Sequence, residues 1–138
     1  KESSMLGKAN IINEGNDITI VSYSNMVNVA KEAISAEELQ NYSFELIDLQ
    51  TVSPIDYETI KNSVKKTKRL LVCQEAPSNS SVGTTVISKI VESELFNELK
   101  IAPKLVSGLH SPMPSAKHLE SNVIPQAEDI TNAVKSML

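Results

Sequence analysis

The spacing of apolar residues changes repeatedly along the chain, and each change marks an element. Lys8-Ala9-Asn10-Ile11-Ile12 is a short strand candidate closed by the turn cluster Asn13-Glu14-Gly15-Asn16. Ile18-Thr19-Ile20-Val21 follows at once, so the two runs predict an antiparallel hairpin. The period then lengthens. Met26, Val29, Ala30, Ala33, Ile34 and Leu39 recur at three- and four-residue spacing, with Lys31, Glu32, Glu37 and Glu38 between them. That spacing predicts an amphipathic helix over 25–41, with Ser24 or Asn25 as its N-cap.

Residues 44–49 read as a strand, and Ser53-Pro54-Ile55-Asp56 breaks the chain to open a second helix. Asp56 and Glu58 at its start and Lys65, Lys66 and Lys68 at its end complement the helix dipole, while Ile60 and Val64 face the core. Residues 69–73 form a nearly all-apolar strand of the kind found in a sheet covered on both faces. Val82, Val86, Ile87, Ile90, Val91 and Leu95 mark a third helix, and residues 104–107 a further strand. Residues 108–124 carry no period and predict a long ordered loop. Pro125 is expected as the first residue of a terminal helix marked by Ile130, Ala133, Val134 and Met137. Strands separated by helices imply right-handed crossovers. The expected fold is a three-layer α/β/α domain with a mostly parallel five-stranded sheet and one antiparallel edge strand.

Composition narrows the function classes. A chain of 138 residues makes one domain and can bury roughly two-thirds of its extended surface. Ile, Leu and Val total 37, against three Tyr, two Phe and no Trp, which suits a buried parallel sheet. No apolar run approaches the length of a membrane span, and Lys1-Glu2-Ser3-Ser4 lacks the apolar core of a signal peptide. The single cysteine, Cys73, fits a reducing compartment. A net charge of −4 and a pI near 5.2 argue against nucleic acid as a partner. Two histidines and one cysteine are too few for most zinc sites. Residues 1–7 read as a linker or cloning remnant and 8–138 as the domain.

In open α/β sheets ligands sit at the C-terminal ends of parallel strands. Here those ends carry Tyr23-Ser24-Asn25, Thr51-Val52-Ser53, Gln74-Glu75-Ala76 and Ser107-Gly108-Leu109-His110. No G-x-G-x-x-G, P-loop or G-x-S-x-G motif occurs, and only four glycines are present. Residues 78–83 could receive an anion at a helix N-terminus, but a capping loop is the stronger reading. Cys73 ends an apolar strand and reads as a buried structural thiol. His110 and His118 match no metal motif and read as surface or interface residues. Asp48 reads as a hydrogen-bonded strand residue. Glu75, immediately after a strand, sits where a carboxylate could be partly desolvated and catalytic, but capping a helix or pairing with a lysine is the stronger reading. These readings point to an α/β domain with no self-contained active site, or else to a small free-standing enzyme using Glu75 and His110.

Several stretches are recognisable. They are Gly7-Lys8-Ala9, Asp17 through Ser24, and Glu45 through Asp56, continuing through Thr59-Ile60, Ser63 through Thr67, Leu71-Val72 and Glu75-Ala76-Pro77. Ala102-Pro103, Pro112-Met113-Pro114 and Ile124-Pro125 follow in order. Together they resemble the C-terminal domain of the β subunit of thiamine-diphosphate-dependent 2-oxoacid dehydrogenases, within the transketolase C-terminal domain family. The stretch Asp48 through Pro54 resembles this branch more than a transketolase or a deoxyxylulose-phosphate synthase.

The resemblance implies a parent oxidoreductase of the pyruvate or 2-oxoisovalerate dehydrogenase type. Such an enzyme oxidatively decarboxylates a 2-oxoacid and passes the acyl group to a lipoyl acyltransferase within a multienzyme complex. It further implies that thiamine diphosphate and Mg²⁺ are held outside this domain, which is itself non-catalytic and binds no cofactor. Implied partners are the other domains and subunits, in a dimer or heterotetramer, and the acyltransferase core, with neither nucleic acid nor membrane. The implied compartment is the cytoplasm or an organelle matrix.

Two departures change the expected contacts. His110 stands where the family loop Gly-x-Asp-x-Pro-x-Pro has aspartate, and Lys100-Ile101 stands where an acidic docking residue precedes Ala-Pro. Docking is therefore expected through Glu94 and Glu98, read as four apart on one helix face, and the carboxylate of Leu138. The loop carrying His110, Pro112, Met113, Pro114 and Leu119 is expected at a subunit interface.

Overall fold

In the computed structural model, which describes residues 5–109 and 123–138, the sheet is organised by β2 (Ile18–Ser22), all five residues of which are buried. A strand buried on both faces must lie at the centre of a sheet. It pairs in parallel with β3 (Phe44–Asp48) on one side and β4 (Leu70–Pro77) on the other. β4 pairs in parallel with β5 (Lys104–Gly108), and β1 (Asn10–Asn13) closes the far edge antiparallel to β3. The order is β1-β3-β2-β4-β5, the five-stranded, mostly parallel sheet with one antiparallel edge that the pattern predicts.

The expected hairpin between β1 and β2 does not form. Both edges of β2 are occupied by parallel partners, so β1 is displaced outward by one strand. The connecting turn crosses the start of β3 and is stitched to it. Asn13 Nδ2 donates to the Phe44 carbonyl at 2.7 Å, Asn16 N to Ser43 Oγ at 2.9 Å, and Ser43 N to the Asp17 carboxylate at 2.7 Å. A Cβ on Gly15 would lie 2.3 Å from the Phe44 carbonyl carbon, so only glycine passes there.

Alternation along the strands feeds two cores. Ile18, Ile20, Leu46, Leu71 and Cys73 meet helix α1 (Met26–Ile34) and helix α4 (Ala127–Met137) on one face. Val21, Ile47, Leu70 and Val72 meet α2 (Tyr57–Thr67) and α3 (Val82–Val91) on the other. The first crossover runs outward from β2 over α1; the next two run the opposite way over the opposite face. Reversing direction and face together keeps one crossover hand throughout.

Two predicted helices stop early, and a serine stops each. The helix expected over 25–41 ends at Ile34, where Ser35 Oγ turns back to the Glu32 carbonyl at 2.6 Å, and a 3₁₀ turn at Glu37–Leu39 follows. The third ends at Val91. Ser93 Oγ donates to the Ile90 carbonyl at 2.7 Å and accepts from Leu95 N at 3.2 Å, opening a 3₁₀ turn at Glu94–Glu98. Serine side chains compete with helical backbone bonds in this way. Asn25 makes no capping side-chain bond, and Ser24 takes the left-handed region at φ 55°. Pro125 lies outside its helix: Gln126 is the cap, its amide held by the Asp129 carboxylate at 2.7 Å.

Candidate functional site

The predicted site residues divide between opposite ends of the sheet. At the C-terminal end of the strands, Gln74 organises the loop. It is fully buried, its amide nitrogen donates to the carbonyls of Ala76 and Pro77 at 3.0 and 3.1 Å, and its oxygen accepts from Gly83 N at 2.8 Å. The end of β4 is thereby tied to the start of α3. Ser81 and Thr84 complete a reciprocal cap, with Thr84 N to Ser81 Oγ at 3.2 Å and Ser81 N to Thr84 Oγ1 at 3.1 Å. The amides of Gly83 and Thr84 that an anion would use are committed internally, so residues 78–83 are a capping loop. Gln74 went unnoticed in the sequence because an amide in a strand run carries no signal of its own.

Glu75 lies within β4, not after it, because the strand continues to Pro77; its side chain is exposed. It acts on a neighbour: burial first, and the Glu75 carboxylate second, push the Tyr23 phenol above its ordinary range. Backbone contact is closer than side-chain contact here, since a Cβ on Gly108 would lie 2.0 Å from the Glu75 carbonyl oxygen. Leu109 N donates to the Val123 carbonyl at 2.9 Å, so these two residues are held side by side. His110, Pro112, Met113, Pro114, His118 and Leu119 lie outside the described residues. Cys73 is fully buried and its thiol is pushed up to about 12 by burial, as a structural thiol requires. Asp48 accepts from Gln50 N at 3.0 Å, a local turn bond.

Lys100, Ile101, Glu98 and Leu138 gather at the opposite, N-terminal end of the strands. Lys68, left-handed at φ 59°, brings them together: its carbonyl accepts from Lys100 N at 2.9 Å, and its ammonium lies 4.0 Å from Glu98. Arg69 donates through Nε to the Met137 carbonyl at 2.8 Å, holding the end of α4 beside this corner. Ile101 packs against the core and is not a free surface residue. Glu94 and Glu98 do not share a face. They bound a 3₁₀ turn, and at three residues per turn a spacing of four rotates one from the other by about 120°. Phe96 stands between them, 55% exposed. Lys68 and Arg69 belong to the basic run 65–69, whose charges point to the dipole but not to this role.

Two carboxylates are buried in a way the sequence did not signal, although Asp56 was placed at the start of α2. Glu45 is 3% exposed beneath the 13–17 turn. Burial pushes its pKa up, but the Lys66 ammonium, the Ser63 hydroxyl and the Gly15 amide outweigh this and hold it below the ordinary carboxylate value. Asp56 caps α2 and reaches back to the entering chain, accepting from Thr59 N at 3.2 Å, Thr59 Oγ1 at 2.6 Å and Ala9 N at 3.0 Å. Burial opposes these bonds and the nearby Lys8 charge, which together lower its pKa. Among the described residues, no group of three or more His, Cys, Asp or Glu side chains is arranged to hold a metal ion. No described helix is long and apolar enough to cross a membrane.

Comparison with known proteins adds the family. The family described as "Transketolase, C-terminal domain" matches residues 7–130. The pyruvate dehydrogenase E1 component subunit beta of Rickettsia bellii is 40% identical over 131 residues, covering 95% of this chain and 40% of that protein. The human mitochondrial subunit is 38% identical over 133 residues, covering 96% of this chain and 37% of its own. The chain thus spans about two-fifths of these relatives. A solved structure described as a split-gene transketolase, inactive β4 tetramer, superposes with a TM-score of 0.78 at 23% identity, over 98% of this chain and 43% of the other, and shares the fold. With the family model matching residues 7–130 and relatives 38–40% identical across nearly its whole length, the chain belongs to the transketolase C-terminal domain family.

Proposed function

We propose that this domain is the C-terminal part of the β subunit, or β-like part, of a thiamine-diphosphate-dependent 2-oxoacid dehydrogenase of the pyruvate type, and that it serves assembly and docking. The observation that carries this reading is the 38–40% identity to pyruvate dehydrogenase β subunits across some 95% of the chain. Its described residues do not fit the cofactor themselves. The Gly83 and Thr84 amides are bonded internally, and the described carboxylates form no metal cluster. In this reading thiamine diphosphate and Mg²⁺ are held by the rest of the enzyme, whose cytoplasmic or matrix location follows that of the relatives. Exposed Glu94, Phe96 and Glu98 support docking of a basic lipoyl acyltransferase segment at the corner beside Leu138. Lys100 adds a positive charge to that corner, so the contact shifts towards Glu94.

The test is the full-length polypeptide purified with the subunits that accompany it. Pyruvate, thiamine diphosphate and Mg²⁺ together should drive reduction of an artificial electron acceptor. Ketol transfer between sugar phosphates, with no 2-oxoacid oxidation, would overturn the proposal.

A further inference from the structure

Three large apolar side chains stand in water on two neighbouring segments: Met5 is 71% exposed, Leu6 84% and Val52 42%. Two backbone bonds hold the strap that carries the first two. Lys8 N donates to the Met5 carbonyl at 3.1 Å, and Ala9 N to the buried Asp56 carboxylate at 3.0 Å. Gly7, at φ 79°, lies against the 50–56 loop, since a Cβ on it would stand 3.2 Å from Pro54 Cγ. Val52 is two residues from that contact. From Met5 to Gly7 and from Gln50 to Ile55 no side chain is charged, in a chain where 22% of residues are. Isolated exposed apolar residues need no explanation, but here two uncharged stretches with exposed apolar side chains are pinned together. The match is to a family described as a C-terminal domain, and it covers only 40% of the Rickettsia relative, so more than half of that protein lies outside the matched part.

We propose that Met5, Leu6 and Val52 form the seat of the polypeptide that precedes this domain in the longer chain. The occupant presents an apolar, uncharged surface, and the Asp56 clamp fixes the direction from which it arrives. The inference rests on family membership and not on 2-oxoacid chemistry.

Cysteine labelling tests it, because the native Cys73 is buried and silent. Leu6→Cys and Val52→Cys are made in the 138-residue chain and in the full-length polypeptide, with Tyr42→Cys, 44% exposed, as a control. In the long chain the first two should react with a maleimide at least about tenfold more slowly, and the control within about twofold of its rate in the short chain. An unchanged rate at Leu6→Cys or Val52→Cys overturns the proposal, and so does equal slowing of the control. A long chain inactive on pyruvate but protected at both positions refutes the activity and keeps the seat. An active chain without protection refutes the seat alone.

Discussion

Replacing Lys66 by methionine keeps the length of the side chain and removes the charge that neutralises Glu45. Glu45 is 3% exposed, so its carboxylate has little recourse to water and keeps only the Ser63 hydroxyl and the Gly15 amide, the latter at 3.4 Å. Removing one partner of a fully buried pair costs about 3–5 kcal/mol. The Lys66 side chain is 43% exposed, so part of its attraction is already screened, and the expected cost is about 2–3 kcal/mol at pH 7.

The sign of the pH dependence separates this cause from lost packing. In the native protein Glu45 has a depressed pKa, so its contribution is present above the unfolded value, about 4.3, and is lost as pH falls through the folded value. Without Lys66, burial dominates and the folded pKa rises above the unfolded one. Protonation then relieves the variant. The gap between native protein and Lys66→Met should shrink as pH falls from 7 towards 4. Urea unfolding at a series of pH values measures it, with a midpoint shift of about 1–2 M expected at pH 7 from an m-value near 1.5–2 kcal/mol per molar. A gap below about 0.5 kcal/mol at pH 7, the size of an ordinary surface substitution, would refute the reasoning, as would one that does not change with pH.

Asp56→Ala should cost about 1–2 kcal/mol for the lost cap and release the entering chain, visible as faster amide exchange at Ala9. Gly15→Ala places a methyl where the Phe44 backbone lies and should cost about 3 kcal/mol or more, read as a lowered thermal midpoint. Cys73 should resist a thiol reagent at pH 8 and react fully in denaturant, because burial holds its thiol up at about 12. Glu94→Ala in the full-length enzyme should weaken binding of the cognate acyltransferase and flatten its salt dependence; unchanged affinity counts against the docking corner.

Period and composition were enough for the layers and for most of the sheet, because alternation in β2 and the stripes of α2 and α4 are local properties of the chain. Pairing is not local. Asn13 through Asn16 read as a hairpin turn, yet the side chains that suit a turn serve here to fasten the crossing onto β3. The burial of β2 on both faces was masked by Thr19, whose hydroxyl is satisfied by Ser63 and Thr67 far along the chain. Glu94 and Glu98 appeared to share a face only while the helix was carried through Ser93, whose hydroxyl ends it. The corner around Lys68 depends on a left-handed residue that is not glycine, which no residue pattern signals. Glu45 looked like any strand glutamate, and its burial follows from where the crossing turn comes to rest.

The bond between Leu109 and Val123 ties the exit of β5 to the approach to α4. Gly108 is locked against Glu75, and Val123 is bonded back to Leu109 before α4 begins. A side chain at Gly108 would therefore undo two joints at once, the pairing of β5 with β4 and the closure ahead of α4.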